Sequence, residues 1–360
     1  MLGLLPWLIA AVGASLARAN PAWVDASFAA RWYPFLARNI TFVNRLKFPI
    51  APILAAGAAA WCVLGLVMAI ARSLARRDAR LLLKAIYRRV AAAGCAFLLM
   101  YALWGAQYTR SPLSPSGVKA SGDGAVTAMA AYGAGDSLSK QCAAWITQAN
   151  RIKPRIRDSG AIRSNDPMDV LARVPAAFEN ARAALPSLPD MAIPTPKPLG
   201  FDKLFSSALV EGMYFPFTFE ALVNTSVPMV DLPFVACHEV AHALGFAREE
   251  EANLIAAIVC AESGDPVFRY SGVMCSLRYG LSDLAARDPG AYWTMLERMS
   301  DGVRGDFVNR QQYWRERQQT PLARLAARVN DIFLMKAGGE ADGARSYGNV
   351  VQLLRDWPRE

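Results

Sequence analysis

Three long runs in the N-terminal third of the chain contain no charged residue. They extend from Leu2 to Leu16, from Phe48 to Ala71 and from Val90 to Tyr108. A helix needs about 20 apolar residues to cross a bilayer. The second run exceeds this length, the third nearly reaches it and the first is shorter. We predict three transmembrane helices, at about residues 2–18, 48–71 and 90–108.

The first run also shares a feature with signal peptides. Ala17-Arg18-Ala19 resembles a small-residue cleavage site, but no Lys or Arg precedes the apolar core. A signal peptide normally begins with a basic segment. The pattern therefore favours an uncleaved anchor over a cleaved leader.

The polar residues between the second and third runs are almost all basic. Asp78 is the one acid, and the basic residues are Arg72, Arg76, Arg77, Arg80, Lys84, Arg88 and Arg89. Cytoplasmic loops are enriched in Lys and Arg, so we predict a cytoplasmic loop over residues 72–89 and place everything after about Tyr108 outside. Much of the net charge of +9 then reflects topology. No basic-aromatic motif indicates nucleic-acid binding.

Beyond Tyr108 the pattern is mainly helical. Tyr214 to Val230 is the exception, because its aromatic and β-branched residues, interrupted by prolines, predict a strand or hairpin. Asp231 can cap the next helix and Gly245 can end it. We therefore predict a mainly α protein: a membrane region at residues 1–108 and a mostly helical domain with a small β element at residues 109–360.

That helix carries both histidines of the chain, in the sequence His238-Glu239-Val240-Ala241-His242. Residues four apart share a helix face, so both imidazoles can bind one metal ion. Glu239 then lies beside the open coordination position as a candidate general base. The alternative is an amphipathic helix whose histidines and glutamate only satisfy one another. The ligand types favour one zinc ion and leave manganese and iron open.

Catalytic zinc normally has three protein ligands, so a carboxylate must complete the site. Glu249 is the best candidate, because Asn253 lies one turn further and can hydrogen-bond a ligating histidine. Glu250 is the alternative. The pattern Glu249-Glu250-Glu251-Ala252-Asn253 resembles the third-ligand helix of glutamate-zincins (gluzincins), whereas a metzincin would have histidine in place of Arg248.

Other residues have possible roles in binding and hydrolysing a peptide. An edge strand near the metal helix can hold a substrate by strand addition, and Phe219 to Asn224, including Glu220, is our candidate; an ordinary core strand is equally consistent. Candidate donors to the developing oxyanion are Tyr270, Tyr347 and Arg248. Among the cysteines, Cys260 and Cys275 form the most plausible disulfide pair if the domain lies outside the cell.

Four stretches carry a resemblance that covers nearly the whole chain: Trp104–Arg110, Tyr214–Asn224, His238–Asn253 and Asp342–Gly348. They resemble a family of bacterial membrane proteins known as domain of unknown function 3810. The resemblance implies membrane spans followed by a zincin-like peptidase domain, and names no substrate.

The sequence thus predicts a multi-pass protein of the bacterial cytoplasmic membrane with an outward-facing zinc metallopeptidase domain. His238, His242 and Glu249 would hold zinc, and Glu239 would take a proton from the attacking water. Its partners would be the lipid bilayer and a peptide or protein substrate, with no nucleic acid. The alternative is a cell-envelope sensor or transducer that uses the zinc fold for binding or self-cleavage.

Overall fold

A computed structural model describes residues 4–113, 138–158, 166–326 and 328. These residues are mostly helical and include one three-stranded sheet, as the sequence predicts. They fall into two compact units. The N-terminal unit comprises Met1–Ser111 and Phe215–Glu220, and the C-terminal unit comprises Pro112–Tyr214 and Ala221–Glu360. Residues 215–220, which the sequence analysis includes in domain 109–360, thus belong to the N-terminal unit.

The N-terminal unit is helical up to residue 109. Its elements are α1 (Leu5–Ala19), a helical turn (Pro21–Trp23), a π-helix (Val24–Trp32), α2 (Tyr33–Ile40), a 3-10 helix (Thr41–Arg45), α3 (Ala51–Arg76), α4 (Ala79–Leu103) and a second 3-10 helix (Gly105–Thr109).

Helices α3 and α4 are the candidate membrane spans. By length and composition each can cross a bilayer, and only a small share of each apolar stretch is buried in the protein. Extensive exposed apolar surface is uncommon on a soluble monomer. Helix α1 has 15 residues and is shorter than a span. Two of the three predicted spans therefore correspond to helices of sufficient length.

The connection between the two candidate spans is much shorter than the predicted loop over residues 72–89, and that prediction is wrong. Helix α3 continues to Arg76 and α4 begins at Ala79, so a turn at Arg77 and Asp78 is all that separates them. Arg77 has a left-handed backbone (φ 49°), and the Asp78 carboxylate accepts a hydrogen bond from the Arg80 amide at 2.9 Å. Lys and Arg are good helix formers, so the basic segment extends both helices.

The carboxylate of Glu220 is fully buried at the start of α3. It accepts hydrogen bonds from the amides of Ile50 and Ala51, the shortest of 2.8 Å, and from the Thr218 hydroxyl at 2.8 Å. The first amides of a helix lack partners within the helix and favour a negative charge. Glu220 therefore caps α3. The neighbouring Phe219 is also buried and packs on Tyr33, with ring centroids 5.3 Å apart.

The C-terminal unit has eight helices and the sheet among its described residues. In chain order they are α5 (Leu138–Asp158), α6 (Pro167–Ala181), β1 (Lys197–Pro198), α7 (Asp202–Ser207), β2 (Gly212–Phe215), β3 (Glu220–Val223), α8 (Leu232–Ala243), α9 (Glu249–Glu262), α10 (Pro266–Arg287), α11 (Pro289–Glu297) and α12 (Asp301–Gln318).

The predicted hairpin is present as β2 and β3, but the strand order corrects one prediction. The order is β1-β3-β2, and β3 pairs in parallel with β1 through Leu222 and Val223. Segment 219–224 is therefore central and buried, not the edge strand that we expected to bind substrate. The side chain of Asn224 also has a structural partner, because its amide donates a hydrogen bond to the Val210 carbonyl at 2.9 Å. Among the described strands, β2 lies at the edge next to β3.

Helices α8, α9 and α10 pack closely together. All residues of α9 from Glu251 to Ala261 are buried. Gly272 of α10 permits this contact, since a Cβ there would lie 2.7 Å from the Cβ of Cys260. All six cysteines are free thiols. The expected Cys260–Cys275 disulfide is therefore wrong: Cys260 lies beside Cys237 instead, and Cys275 lies beside Arg278.

Candidate metal centre

Helix α8 presents the two histidines on one face. It begins at Leu232 with Asp231 at the N-cap position, as predicted, although the Asp231 side chain does not bond to the helix amides. The imidazole rings of His238 and His242 meet edge to face with centroids 4.6 Å apart. The four-residue spacing thus produces the common face that the sequence predicts.

A tight turn brings the third candidate ligand back to this face. Gly245 adopts a φ of 95°, which favours glycine, and the chain then enters α9 with Arg248 at its N-cap position. Glu249 is the first residue of α9 and its carboxylate faces both histidines. The close packing of α8 and α9 therefore juxtaposes residues from both helices.

Three candidate ligand residues converge. Nε2 of His238 lies 3.2 Å from Oε2 of Glu249 and 3.0 Å from Nε2 of His242. Nε2 of His242 lies 3.6 Å from Oε1 of Glu249. Two ligands of one tetrahedral zinc ion, each about 2.0–2.1 Å from it, are separated by roughly 3.3 Å. The two distances from Nε2 of His238 are close to this value, and one ligand atom from each of the three residues lies within 4.8 Å of the others. The donor set therefore fits zinc in type and in approximate spacing.

The backbone fixes the tautomer of His242. Its Nδ1 lies 2.7 Å from the carbonyl oxygen of Phe246. A carbonyl oxygen can only accept a hydrogen bond, so Nδ1 carries the proton and Nε2 keeps its lone pair for a metal. Phe246 acts through its backbone, so its residue type gives no sign of this role in the sequence.

The tautomer of His238 is less clearly fixed by its hydrogen bonds. Its Nδ1 is buried and has no hydrogen-bond partner of normal geometry among the described residues. The buried side chain of Asn253 is near enough to contribute to raising the pKa of His238. Asn253 therefore lies beside a candidate ligand, where the sequence analysis expects it.

The three acids at the start of α9 have different environments. Glu249 is the one that joins the histidines in a potential metal site. Glu251 is buried, accepts a hydrogen bond from the Leu113 amide at 2.7 Å and pairs with Arg248 at 3.4 Å. Glu250 is partly exposed and is not part of the converging group. Helical phase separates the three side chains by about 100° each, which explains why one alone faces the histidines.

Glu239 is buried against strand β2. A Cβ at Gly212 would lie 2.6 Å from both Cγ and Oε1 of Glu239, so the absence of a side chain at residue 212 lets the carboxyl group reach the strand backbone. Oε2 of Glu239 is buried without a hydrogen-bond partner among the described residues. The role of Gly212 is not evident from the sequence, because no local pattern at residue 212 indicates contact with Glu239, 27 positions away.

Burial and charge give the four groups different proton affinities. Burial would lower the pKa of His238, but the hydrogen bond and charge of Glu249 outweigh it and raise this pKa to about 9. Burial lowers the pKa of His242 to about 4. Burial opposes ionisation of Glu249, yet the two histidines hold its pKa at about 2. Burial raises the pKa of Glu239 to about 8, despite His238 nearby.

These pKa values predict that zinc binding depends on pH. Metal ligation needs the neutral imidazole, and His238 in the metal-free protein is protonated below pH 9. Between the pKa values of His242 and His238, about 4 and 9, the apparent zinc affinity should rise about tenfold per pH unit. Below the pKa of Glu239, about 8, the rise reaches up to about a hundredfold per unit where zinc binding also releases the Glu239 proton. Competition with a chromophoric chelator at several pH values measures this slope. An affinity that is constant over this range would contradict the assigned ligands.

The predicted oxyanion donors are engaged elsewhere or lie outside the described residues. The Tyr270 hydroxyl donates to Asp306 at 2.7 Å in a core formed by α5, α10 and α12, where Lys153 also pairs with Asp306. Arg248 pairs with Glu251. Tyr347 lies outside the described residues. Tyr270 therefore joins helices, which corrects the proposed role.

Comparison with curated proteins and with solved structures gave no match. A family whose description is "Protein of unknown function (DUF3810)" matches residues 28–355. This match includes both candidate spans, the sheet, and helices α8 and α9. The chain therefore belongs to the DUF3810 family.

Proposed function

We propose that this protein is a membrane-anchored, zinc-dependent metallopeptidase. The convergence of His238, His242 and Glu249 at zinc-like spacings, with the carboxyl group of Glu239 beside them, is the observation that carries the proposal. Three protein ligands leave a coordination position open, as catalytic zinc sites require. The Glu249 side chain is 34% exposed, so the group is accessible from solvent on that side.

Each residue has a distinct role in the proposed reaction. His238, His242 and Glu249 would hold the ion. When bound, zinc would supply Lewis acidity that polarises the scissile carbonyl and makes a water molecule more acidic. Glu239 takes the proton of the attacking water and passes it to the leaving amine. A carboxyl group can serve both steps, because it accepts a proton when ionised and releases it once protonated.

Strand β2 is the better candidate for binding the substrate backbone. It is one of the two edge strands of the sheet, and Gly212 places its backbone against Glu239. An extended peptide that adds to this edge would run past the general base without a side chain at residue 212 in the way. This assignment replaces the segment 219–224 as the substrate strand.

The candidate spans α3 and α4 support attachment to a membrane. The basic residues at their shared turn favour the cytoplasmic side for that turn. We infer that the peptidase centre acts on the outer side of the cytoplasmic membrane, on peptides or proteins.

Removal of the metal tests this function. Full-length protein purified in detergent should contain about one zinc ion per chain and hydrolyse members of a peptide library. A chelator should abolish hydrolysis and added zinc should restore it, because the proposed reaction depends on a Lewis acid. Mass spectrometry of the metal and of the peptide products measures both. Hydrolysis that persists after complete removal of the metal would refute the proposal.

A further inference from the structure

Four charged side chains cluster next to the general base. They are Glu211 before β2, Asp231 before α8, Arg278 on α10 and Arg310 on α12. Glu211 directly precedes Gly212, the residue in contact with Glu239, and its charge affects the pKa of Glu239. The cluster therefore lies within the C-terminal unit, adjacent to the centre described above.

Arg310 has a structural explanation. Its Nε donates to Asp231 at 2.7 Å, and the indole of Trp314 donates to the same carboxylate at 3.3 Å. Both partners of this ion pair are almost fully buried. A short, buried and additionally hydrogen-bonded pair of this kind joins α12 to the start of α8 and needs no ligand.

Arg278 differs from Arg310 in its bonding. Its Nη2 donates to the Tyr279 hydroxyl at 2.6 Å and approaches Cys275 Sγ at 3.4 Å. Its Nη1 lies 3.9 Å from the Glu211 carboxylate, beyond hydrogen-bonding distance. Nε has no hydrogen-bond partner among the described residues. Because Nε is buried, the donors available opposite the Glu211 carboxylate are those of Nη1.

The pair also faces solvent. The side chains of Arg278 and Glu211 are 24% and 33% exposed, in contrast to 11% for Arg310. Arginine keeps its charge and forms strong, charge-assisted hydrogen bonds with carboxylates, here through the two N–H groups of Nη1. A carboxylate arriving from solvent could therefore bond to Arg278 more closely than Glu211 does.

We propose that Arg278 binds a carboxylate group of the peptide substrate. This inference rests on the proposed peptidase function and specifies its substrate class. Two adjacent residues, Glu211 and Gly212, connect Arg278 to Glu239, and an extended peptide advances about 3.5 Å per residue. The recognised carboxylate is therefore one to three residues from the scissile bond. It belongs either to the free C-terminus of a short peptide or to an Asp or Glu side chain.

Equilibrium binding to a protein that cannot turn over tests this inference. The zinc-loaded, full-length Glu239→Gln variant is titrated with four matched peptides: one with a free C-terminus, its C-terminal amide, an amidated peptide with an internal Asp, and its Asn analogue. Hydrogen bonds to charged groups predict that one carboxylate peptide binds about 10- to 100-fold more tightly than its neutral analogue. The pair that shows the preference identifies the source of the carboxylate.

Second-site variants connect the preference to Arg278. Adding Arg278→Gln should reduce the ratio of affinities to about one, and Arg278→Lys should retain part of it. Arg287→Gln, on the same helix and 74% exposed, is the matched control and should keep the full ratio. Glu211→Gln should increase the ratio, because it removes the competing carboxylate. This last variant and Arg278→Lys decide the question if Arg278→Gln does not fold.

The outcomes separate this inference from the proposed function. Equal affinities within both peptide pairs, or a preference that survives in Arg278→Gln, would mean that the cluster is a structural ion-pair network. Zinc binding and hydrolysis without any carboxylate preference would overturn the subsite alone. An Arg278-dependent preference, together with no hydrolysis by the zinc-loaded native protein, would overturn the peptidase proposal and leave Arg278 as a carboxylate-binding site without a catalytic role.

Discussion

Replacing Glu239 with glutamine should lower kcat/KM for peptide hydrolysis by about 100- to 10,000-fold, the usual contribution of a general base. Glutamine has nearly the same shape as glutamate, so contact with the backbone at Gly212 should persist. It cannot accept a proton from water. Steady-state kinetics with a peptide identified from the library measures the effect.

The same variant should keep its metal, because Glu239 is not one of the three converging ligands. Zinc content close to that of the native protein, measured by mass spectrometry, serves as the control. The pH dependence of zinc affinity should become shallower, since one of the two groups that lose protons is missing. Full hydrolytic activity in Glu239→Gln would exclude Glu239 as the base.

Replacing Glu249 with alanine should weaken zinc binding by more than about 100-fold, since even changes to groups that only orient ligands cost about 10- to 100-fold. Glu249 supplies the one carboxylate of the converging group, and its removal leaves two imidazoles. Hydrolysis should fall in parallel with zinc occupancy. Titration with a zinc buffer over several decades of free zinc measures the affinity.

Glu250→Ala is the matched control for this experiment. Glu250 has the same chemistry and is adjacent in sequence, but does not belong to the converging group. Its zinc affinity should stay within about twofold of the native value, as expected for a surface substitution. Loss of zinc from Glu250→Ala with retention in Glu249→Ala would reverse the assignment of the third ligand.

The parts of the centre that depend on local helix geometry could be predicted from sequence. The shared face of His238 and His242 follows from a four-residue spacing. The Gly245 turn and the start of the next helix at Glu249 follow from local capping and turn preferences. Choosing Glu249 needed one further observation, the polar residue Asn253 one turn along an otherwise apolar helix face.

The remaining parts depend on contacts between residues far apart in the chain. Gly212 and Arg278 lie 27 and 39 positions from Glu239, and neither carries a pattern that indicates its neighbour. Whether a strand is central or at an edge depends on the pairing of β1 with β3, which a two-residue strand does not reveal in sequence. The engagement of Tyr270 with Asp306 likewise requires the packing of α10 against α12.

In the membrane region, it is a local sequence pattern that misleads. The apolar runs predict α3 and α4, whereas the basic residues between them suggest a long loop where the structure has a two-residue turn. Lys84, Arg88 and Arg89 instead lie on α4, where Arg89 donates to the Cys62 carbonyl at 3.1 Å and lies over the Trp61 ring. Long basic side chains extend along apolar helices and keep their charge satisfied. A run of basic residues thus identifies the end of an apolar stretch better than the end of a helix.

The cap that Glu220 provides constrains how the turn between β2 and β3 can move. Withdrawing this carboxylate would leave the amides of Ile50 and Ala51 without their acceptor, at a cost of about 1–3 kcal/mol for the buried Ala51 amide. The turn and the first residues of α3 are therefore displaced together. A piston-like shift or a tilt of that helix would carry Phe215–Glu220 with it, because both belong to one compact unit.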